Sequence, residues 1–121
     1  DYPNRFFNVG SAEQFMIGMS VGMAMEGKIP FAYSITPFLL YRPFEFIRNY
    51  LHKDQIPVNL IGGGRDDDYG SLGYSHWAKE DRNIITNFDI ESFWPEDESS
   101  LEEAFSSIVT NNKPSYLNLR R

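Results

Sequence analysis

Short apolar runs alternate along the chain with segments in which apolar residues recur every three or four positions. The runs predict buried β-strands, and the spaced pattern predicts helices with one apolar face. Strands are predicted at residues 6–9, 29–34 and 56–61, within 84–93, and at 116–119. Helices are predicted from residue 11 to the glycine at 27, and at 38–52, 76–83 and 101–111. This alternation predicts an α/β fold with a mostly parallel sheet flanked by helices.

Several helix ends carry their own local pattern. Ser11 and Gln14 have the spacing of a capping box, so we expect the first helix to begin near Ser11. Pro37 suits the start of the second helix. Ser99 or Ser100 is expected to cap the last helix, because a serine side chain can accept a hydrogen bond from a free N–H of the first turn.

Composition and charge narrow the class of protein. A chain of 121 residues with 41% hydrophobic residues is long enough for one domain with one core. The net charge of -6, without a cluster of basic and aromatic residues, argues against nucleic acid and anionic membranes as partners. The sequence has no cysteine, which excludes a disulfide scaffold and a cysteine-based zinc site and fits the cytoplasm. No apolar run approaches the ~18 residues that a membrane-spanning helix requires.

Aromatic residues are abundant, at 16% of the sequence. In a chain of this length we expect part of that apolar surface to be buried against a partner. The last predicted strand, at residues 116–119, is followed at once by Arg120 and Arg121. We therefore expect the sequence to be a fragment of a longer protein.

Two residues are candidates for catalysis. Glu13 lies in the first turn of the first predicted helix, where an acid either complements the helix dipole or stands at the ligand-binding edge of the sheet. His76 follows a glycine-rich loop at residues 62–75, and loops of that length are often functional. The second histidine of the sequence, His52, is expected to be solvated at the polar end of a helix.

The aromatic residues at 38–44 and the glycine-rich, acidic loop each have a structural and a functional interpretation. Phe38, Tyr41 and Phe44 are spaced by three, which gives either a core stripe or a platform on which a flat ring can stack. The glycines at 62–64 lack the Gly-Lys-Ser/Thr ending of a phosphate loop, and acids follow them at 66–68. Those acids lack the spacing of a Ca²⁺ loop, so we predict a solvated loop and no metal site.

Four segments in order carry a family resemblance. They are Asn-Val-Gly-Ser-Ala-Glu-Gln at residues 8–14, the strand and aromatic stretch at 31–41, Gly-Tyr-Ser-His at 73–76, and Pro-Ser-Tyr-Leu at 114–117. Together they resemble the pyrimidine-binding domain of transketolases, which also occurs in deoxyxylulose-phosphate synthases and in the beta subunits of 2-oxoacid dehydrogenases. The resemblance implies a single, partial thiamine-diphosphate-binding domain of pyrimidine type over residues 1–121, without its first strand and helix.

The resemblance also implies roles for individual residues. Glu13 falls on the glutamate that hydrogen-bonds the aminopyrimidine ring of thiamine diphosphate and favours the tautomer that removes the thiazolium proton. Phe38, Tyr41 and Phe44 fall on the aromatic residues around that ring, and Tyr41 is our choice for stacking. His76 falls on the histidine near the reacting carbon, where it can contact a substrate hydroxyl or oxyanion.

Two departures bear on the substrate. Leu72 stands where transketolases have an acid that recognises sugar hydroxyls, and Tyr74-Ser75 replaces a Pro-Thr pair. The Gly-Asp-Gly…Asn motif, through which the family binds Mg²⁺ and diphosphate, is absent from the sequence. The resemblance therefore implies that a different domain or subunit holds Mg²⁺ and the diphosphate, in a homodimer or heterotetramer acting on a sugar or 2-oxo substrate.

The sequence leaves several functions to compare. The first is cofactor activation for two-carbon ketol transfer between sugar-like substrates. The second is a non-catalytic domain of the same type that serves as a structural or regulatory partner, and a beta-subunit-like part of a 2-oxoacid dehydrogenase is a related enzymatic alternative. An unrelated flavodoxin-like domain is disfavoured, because no phosphate loop follows the first predicted strand.

Overall fold

The computed structural model describes residues 2–121, and its central element is a four-stranded parallel sheet in the order β1-β2-β4-β3. Each pair of neighbouring strands runs in the same direction, with Phe31 opposite Asn59 and Asn59 opposite Ser115. The predicted α/β class with a parallel sheet is therefore confirmed. The strands are β1 at Phe31–Ile35, β2 at Asn59–Gly63, β3 at Glu91–Phe93 and β4 at Ser115–Leu119.

Helices cover both faces of the sheet. The α-helices are α1 at Glu13–Met25, α2 at Thr36–Tyr41, α3 at Phe44–Phe46, α4 at Asp81–Ile85 and α5 at Glu98–Thr110. A π-helix at Ile47–Lys53 continues α3, and single 3₁₀ turns lie at Pro3–Arg5, Gly70–Leu72 and Tyr74–His76.

The core has two parts because successive strand residues face opposite sides of the sheet. On one face, Ala32, Leu60 and Tyr116 pack with buried residues of α1, α2 and the π-helix. On the other face, Leu117 packs beneath Ala104 and Ile108 of α5.

The prediction of a strand at residues 6–9 is wrong. These residues form no strand, and the side chains of Phe6 and Phe7 are 74% and 57% exposed. A strand needs a neighbour for its backbone groups, and none of the described strands pairs with this segment. The first helix begins at Glu13, and its N-cap Ala12 gives no side-chain hydrogen bond, so the capping box predicted for Ser11 is also wrong.

The single helix predicted at 38–52 is interrupted. Proline has no N–H to donate, and at Pro43 the chain leaves the helix between α2 and α3. Helix α2 is therefore a separate unit of 6 residues that directly follows β1.

Three further boundaries differ from prediction. The helix predicted at 76–83 is a 3₁₀ turn at Tyr74–His76 followed by α4, and only Glu91–Phe93 of the segment 84–93 forms a strand. Helix α5 is capped by Asp97, whose side chain accepts from the Ser100 N–H while Ser100 bonds back to the Asp97 N–H. The final strand, predicted at 116–119, is confirmed as β4.

A buried polar cluster lies at the carboxyl end of the sheet, centred on the side-chain amide of Asn118. Its Nδ2 lies 3.1 Å from Thr36 Oγ1 and 3.1 Å from Asp81 Oδ2, and its Oδ1 accepts from Arg65 Nε at 2.9 Å. Asp81 Oδ2 also accepts from the Tyr116 hydroxyl at 2.9 Å. Asn118 therefore links β4 to the beginnings of α2 and α4.

Arg65 brings a positive charge into this cluster. Its side chain is 2% exposed, and its guanidinium donates to Glu96 Oε1 at 2.6 Å and to the Pro95 carbonyl at 2.9 Å. A buried guanidinium is tolerated when its nitrogens have acceptors, and here each of the three donates at least one hydrogen bond.

Strand β1 lies at the edge of the sheet. It pairs with β2 on one side, and no described strand pairs with it on the other. The side chains of Phe31 and Tyr33 on this strand are 42% and 61% exposed, and the Phe31 ring lies 5.9 Å from Phe105 of α5.

None of the helices within residues 2–121 has the length and apolar character needed to cross a membrane.

We expect Asn118→Leu to lower the free energy of unfolding by about 2–4 kcal/mol, because it leaves the buried Arg65 Nε without its acceptor and removes one hydrogen bond from Asp81. Chemical denaturation followed by circular dichroism measures the change. Asn83→Leu is the matched control, because Asn83 is exposed on α4. Equal stability of the two variants would contradict the role given to Asn118.

We also expect the protein to lose stability at alkaline pH. Burial, and then the charge of Asp81, raise the pKa of the Tyr116 hydroxyl well above its usual value. A raised pKa in the folded state favours folding fully below the unfolded-state pKa of about 10, and this contribution is lost as the pH rises further. The free energy of unfolding should therefore fall above about pH 10, and that of the Tyr116→Phe variant should fall less steeply. A parallel decline in both proteins would refute the assignment.

Candidate functional site

Glu13, the first residue of α1, is a mostly buried carboxylate. Its residue is 8% exposed, and its Oε1 accepts a hydrogen bond from Arg42 Nη1 at 2.7 Å. Its Oε2 accepts no hydrogen bond from the residues that the structure describes. The carboxylate therefore has one fixed oxygen and one that is open to a further donor.

Arg42 connects Glu13 to an aromatic ring. Its guanidinium carbon lies 3.9 Å from the centroid of Phe38, which is one helical turn earlier in the chain. The Phe38 ring in turn meets the His76 ring edge-on, at 5.0 Å between centroids. Glu13, Arg42, Phe38 and His76 thus form a continuous series of contacts, and two of the predicted site residues, Phe38 and His76, touch directly.

His76 belongs to the 3₁₀ turn at Tyr74–His76. Its Nδ1 is 3.0 Å from Ser75 Oγ, and its ring lies 6.2 Å from that of Tyr69. The turn stands beside α2, so the histidine has a partner at one nitrogen and an aromatic wall, while its second nitrogen can serve a ligand.

Tyr41, three positions after Phe38, lines an open pocket of about 310 Å³. Its hydroxyl donates to Glu80 Oε2 at 3.3 Å, and Tyr74 donates to Glu80 Oε1 at 3.1 Å. Burial, and then the negative charge of Glu80, raise the pKa of Tyr41. The hydrogen bond to Glu80 also raises the pKa of Tyr74. Both phenols are held as neutral donors, and the pocket is lined by Pro37, Tyr41, Tyr74, Ser75, Trp77, Glu80 and Ile84.

Phe44 is placed apart from the other aromatic candidates. Its ring packs against Phe88 at 5.4 Å, and the aromatic and hydrogen-bond contacts of residues 2–121 do not join it to Glu13 or His76. The break at Pro43 explains this, because Phe44 does not continue the face of α2. His52, which we expected to be solvated, also has a structural role: its Nδ1 accepts from the Asp89 N–H at 2.8 Å and its ring stacks on Phe88 at 5.1 Å.

The acidic loop forms ion pairs. Asp67 lies 3.2 Å from Lys79, and Asp68 lies 3.6 Å from Arg120 and accepts from the Arg65 N–H at 2.9 Å. No group of three or more histidine or acidic side chains within residues 2–121 is arranged to hold a metal ion.

Neither Arg42 nor the cluster around Asn118 was predicted from the sequence. Arg42 follows Phe38 by four positions, a spacing that places both side chains on one helical face, so the contact between them could have been predicted. Apart from Tyr116, the side-chain partners of Asn118 are 37 to 82 positions away in the sequence, and no local pattern connects them.

This arrangement suits a flat, nitrogen-bearing ring. The open oxygen of Glu13 can accept an N–H from such a ring, and the aromatic ring of Phe38 is joined to Glu13 through Arg42. The residues present therefore fit the aminopyrimidine of thiamine diphosphate.

Comparison with known proteins gives a consistent result. The family model of the transketolase pyrimidine binding domain matches residues 1–121. A putative transketolase C-terminal section of Methanocaldococcus jannaschii is 41% identical over 85 residues, which cover 70% of this chain and 27% of that protein. A 6-deoxy-6-sulfo-D-fructose transketolase subunit of a Clostridium species is 32% identical over 98% of this chain and 37% of its own length.

A solved structure agrees with these relatives. A split gene transketolase, described as an inactive beta4 tetramer, is 30% identical and superposes with a TM-score of 0.85 over 99% of this chain and 38% of its own length. The chain thus spans between 27% and 38% of the lengths of these relatives. By sequence and by fold, the chain belongs to the transketolase pyrimidine-binding domain family.

Proposed function

We propose that this chain is the pyrimidine-binding half of a thiamine-diphosphate-dependent, transketolase-like enzyme that transfers a two-carbon ketol unit between sugar-like substrates. The observation that carries the proposal is Glu13, a mostly buried carboxylate with one open oxygen at the start of α1. A surface acid that serves only the helix dipole has no need of burial or of a charged partner.

Glu13 acts by accepting a hydrogen bond from a ring nitrogen of the aminopyrimidine. Thiamine diphosphate, when bound, supplies the nucleophilic carbon for cleavage and formation of the carbon–carbon bond. Glu13 orients the ring and shares a proton with its nitrogen, which requires an acid shielded from bulk water. Its low exposure meets that requirement.

Phe38 is the aromatic residue best supported for contact with the pyrimidine ring, because Arg42 joins it to Glu13. Arg42 lies over its ring and His76 meets the ring edge-on, so the cofactor would contact the remaining surface of Phe38. Tyr41 and Phe44 remain predictions for cofactor binding. The Tyr41 hydroxyl is engaged by Glu80 and the Phe44 ring by Phe88, so either would contact the cofactor only along its remaining surface.

His76 is proposed to contact the substrate. Its ring stands against Phe38, and Ser75 engages its Nδ1, which leaves Nε2 to donate to or accept from a hydroxyl or oxyanion. Leu72 and Tyr74 lie in the same segment and are 53% and 75% exposed, so they present an apolar and an aromatic group where the family has an acid and a proline.

The activity requires a second domain or subunit, which holds the diphosphate and Mg²⁺. This proposal is supported by the partial coverage of the relatives and by the Clostridium relative, which is a subunit. It is also supported by the split gene transketolase, which is inactive as a beta4 tetramer. We propose a homodimer or heterotetramer in the cytoplasm that acts on sugars. The sugar substrate is supported by the name of the Clostridium relative, which for that protein states a sugar.

Replacing Glu13 tests cofactor activation directly. In the complex with the diphosphate-binding partner, thiamine diphosphate and Mg²⁺, Glu13→Ala should slow exchange of the thiazolium proton by about a hundredfold or more, because the ring nitrogen loses its acid. Quenched-flow exchange read by NMR measures the rate. Glu26→Ala is the matched control, since Glu26 is exposed at the other end of the same helix. Unchanged exchange in Glu13→Ala would favour a non-catalytic domain.

Replacing His76 separates cofactor activation from substrate chemistry. His76→Ala should keep the exchange rate of the thiazolium proton within about threefold but lower kcat/KM for ketol transfer by about a hundredfold, because an oxyanion contact is lost. His52→Ala is the control, because His52 binds the Asp89 backbone instead. A fall in exchange equal to the fall in turnover would place His76 in cofactor activation.

A further inference from the structure

We propose that Arg42 is a positioning residue that holds the carboxylate of Glu13 by one oxygen and so presents the other to the cofactor ring. This inference rests on the proposed function of Glu13 and adds a residue to it. The Nη1–Oε1 distance is 2.7 Å, and the open Oε2 is the only carboxylate oxygen of Glu13 left for a ligand within the described residues.

The guanidinium is fixed in two ways. It donates to Glu13, and its central carbon lies over the Phe38 ring at 3.9 Å from the centroid. A planar cation that stacks on a ring while donating a hydrogen bond has little rotational freedom. A lysine ammonium can form the ion pair, but it has no plane to stack.

The chain itself explains why both contacts meet at Arg42. Phe38 and Arg42 are four positions apart across the end of α2, and residues at that spacing face the same way. Glu13 comes from a different helix, so Arg42 ties the start of α1 to the aromatic face of α2. Without it, a carboxylate at a helix start with a free side chain samples several rotamers.

Glu13 is more buried than Arg42, which suits a role of Arg42 in positioning the Glu13 carboxylate. The Glu13 side chain is 9% exposed, whereas the Arg42 side chain is 47% exposed. The guanidinium can therefore be reached from solvent while the carboxylate is shielded. An exposed surface ion pair contributes little, but here one partner is mostly buried and its geometry is constrained by a ring.

The test uses the assembled complex with thiamine diphosphate and Mg²⁺. Arg42→Ala is expected to slow exchange of the thiazolium proton by about tenfold, the scale of one lost charge-assisted hydrogen bond, while the cofactor Kd changes by less than about threefold. Arg42→Lys is expected to recover only part of the rate, because charge without planarity leaves the carboxylate mobile.

Chemical rescue separates positioning from a merely structural effect. Added guanidinium ion at concentrations below those that unfold the protein should restore exchange in Arg42→Ala, because the vacated place over Phe38 is open to solvent. Sodium chloride at the same ionic strength should not restore it. Arg82→Ala is the matched control: its guanidinium also lies over a ring, 4.8 Å from the centroid of Trp94, and it makes no ion pair with Glu13.

The outcomes distinguish this inference from the proposed function. Exchange at the wild-type rate in Arg42→Ala, or tighter cofactor binding in that variant, would overturn the positioning role, and the second result would mean that Arg42 blocks the site. Slow exchange that guanidinium ion does not rescue would also overturn it. If Glu13→Ala exchanges like wild type in the same experiment, the proposed function itself fails.

Discussion

The structure depends on how a single buried amide, that of Asn118, satisfies charged and polar groups from several elements at once. A buried carboxylate and a buried guanidinium would each destabilise the fold without partners, and Asn118 reaches both Asp81 and Arg65. The same amide reaches Thr36, the first residue of α2. Hydrogen bonds of Asn118, at the carboxyl end of β4, therefore fix the position of α2 relative to α4.

This constraint explains why a helix of 6 residues can organise the site. Such a short helix has little stability of its own, so its orientation must come from the groups that anchor it. Thr36 provides the anchor, and the side chains beyond it then diverge: Phe38 meets His76, while Tyr41 meets Glu80. Two aromatic residues of one short helix thus have different partners, His76 for Phe38 and Glu80 in the open pocket for Tyr41.

Much of the fold was predictable because it depends on short-range pattern. Parallel strands, their alternation with helices and the last strand all follow from apolar periodicity. The predicted strand at residues 6–9 failed because an apolar run becomes a strand only where another strand accepts its hydrogen bonds. The long second helix failed at Pro43, a residue whose effect on a helix is local and was overlooked.

The candidate site was predictable only in part, because several of its contacts join residues that are distant in the sequence. Glu13, Phe38 and His76 lie in segments with recognisable patterns, and the rings of Phe38 and His76 are in contact in the structure, while their roles stay predictions. The close packing of the glycines at 62–64 could not be predicted, because it depends on residues that are distant in the sequence. A Cβ on Gly62 would lie 2.6 Å from Thr36 Oγ1, and one on Gly64 would lie 2.2 Å from the Tyr69 ring. Close approach of distant residues leaves no mark in the neighbouring sequence.

The edge position of β1 has a consequence for the protein in solution. An outer strand with unpaired backbone groups, flanked by the exposed rings of Phe31 and Tyr33, can template the addition of another strand from a second molecule. Left uncovered, such an edge favours self-association. A group that covered β1 would therefore also protect the protein against aggregation, independently of any part it played in catalysis.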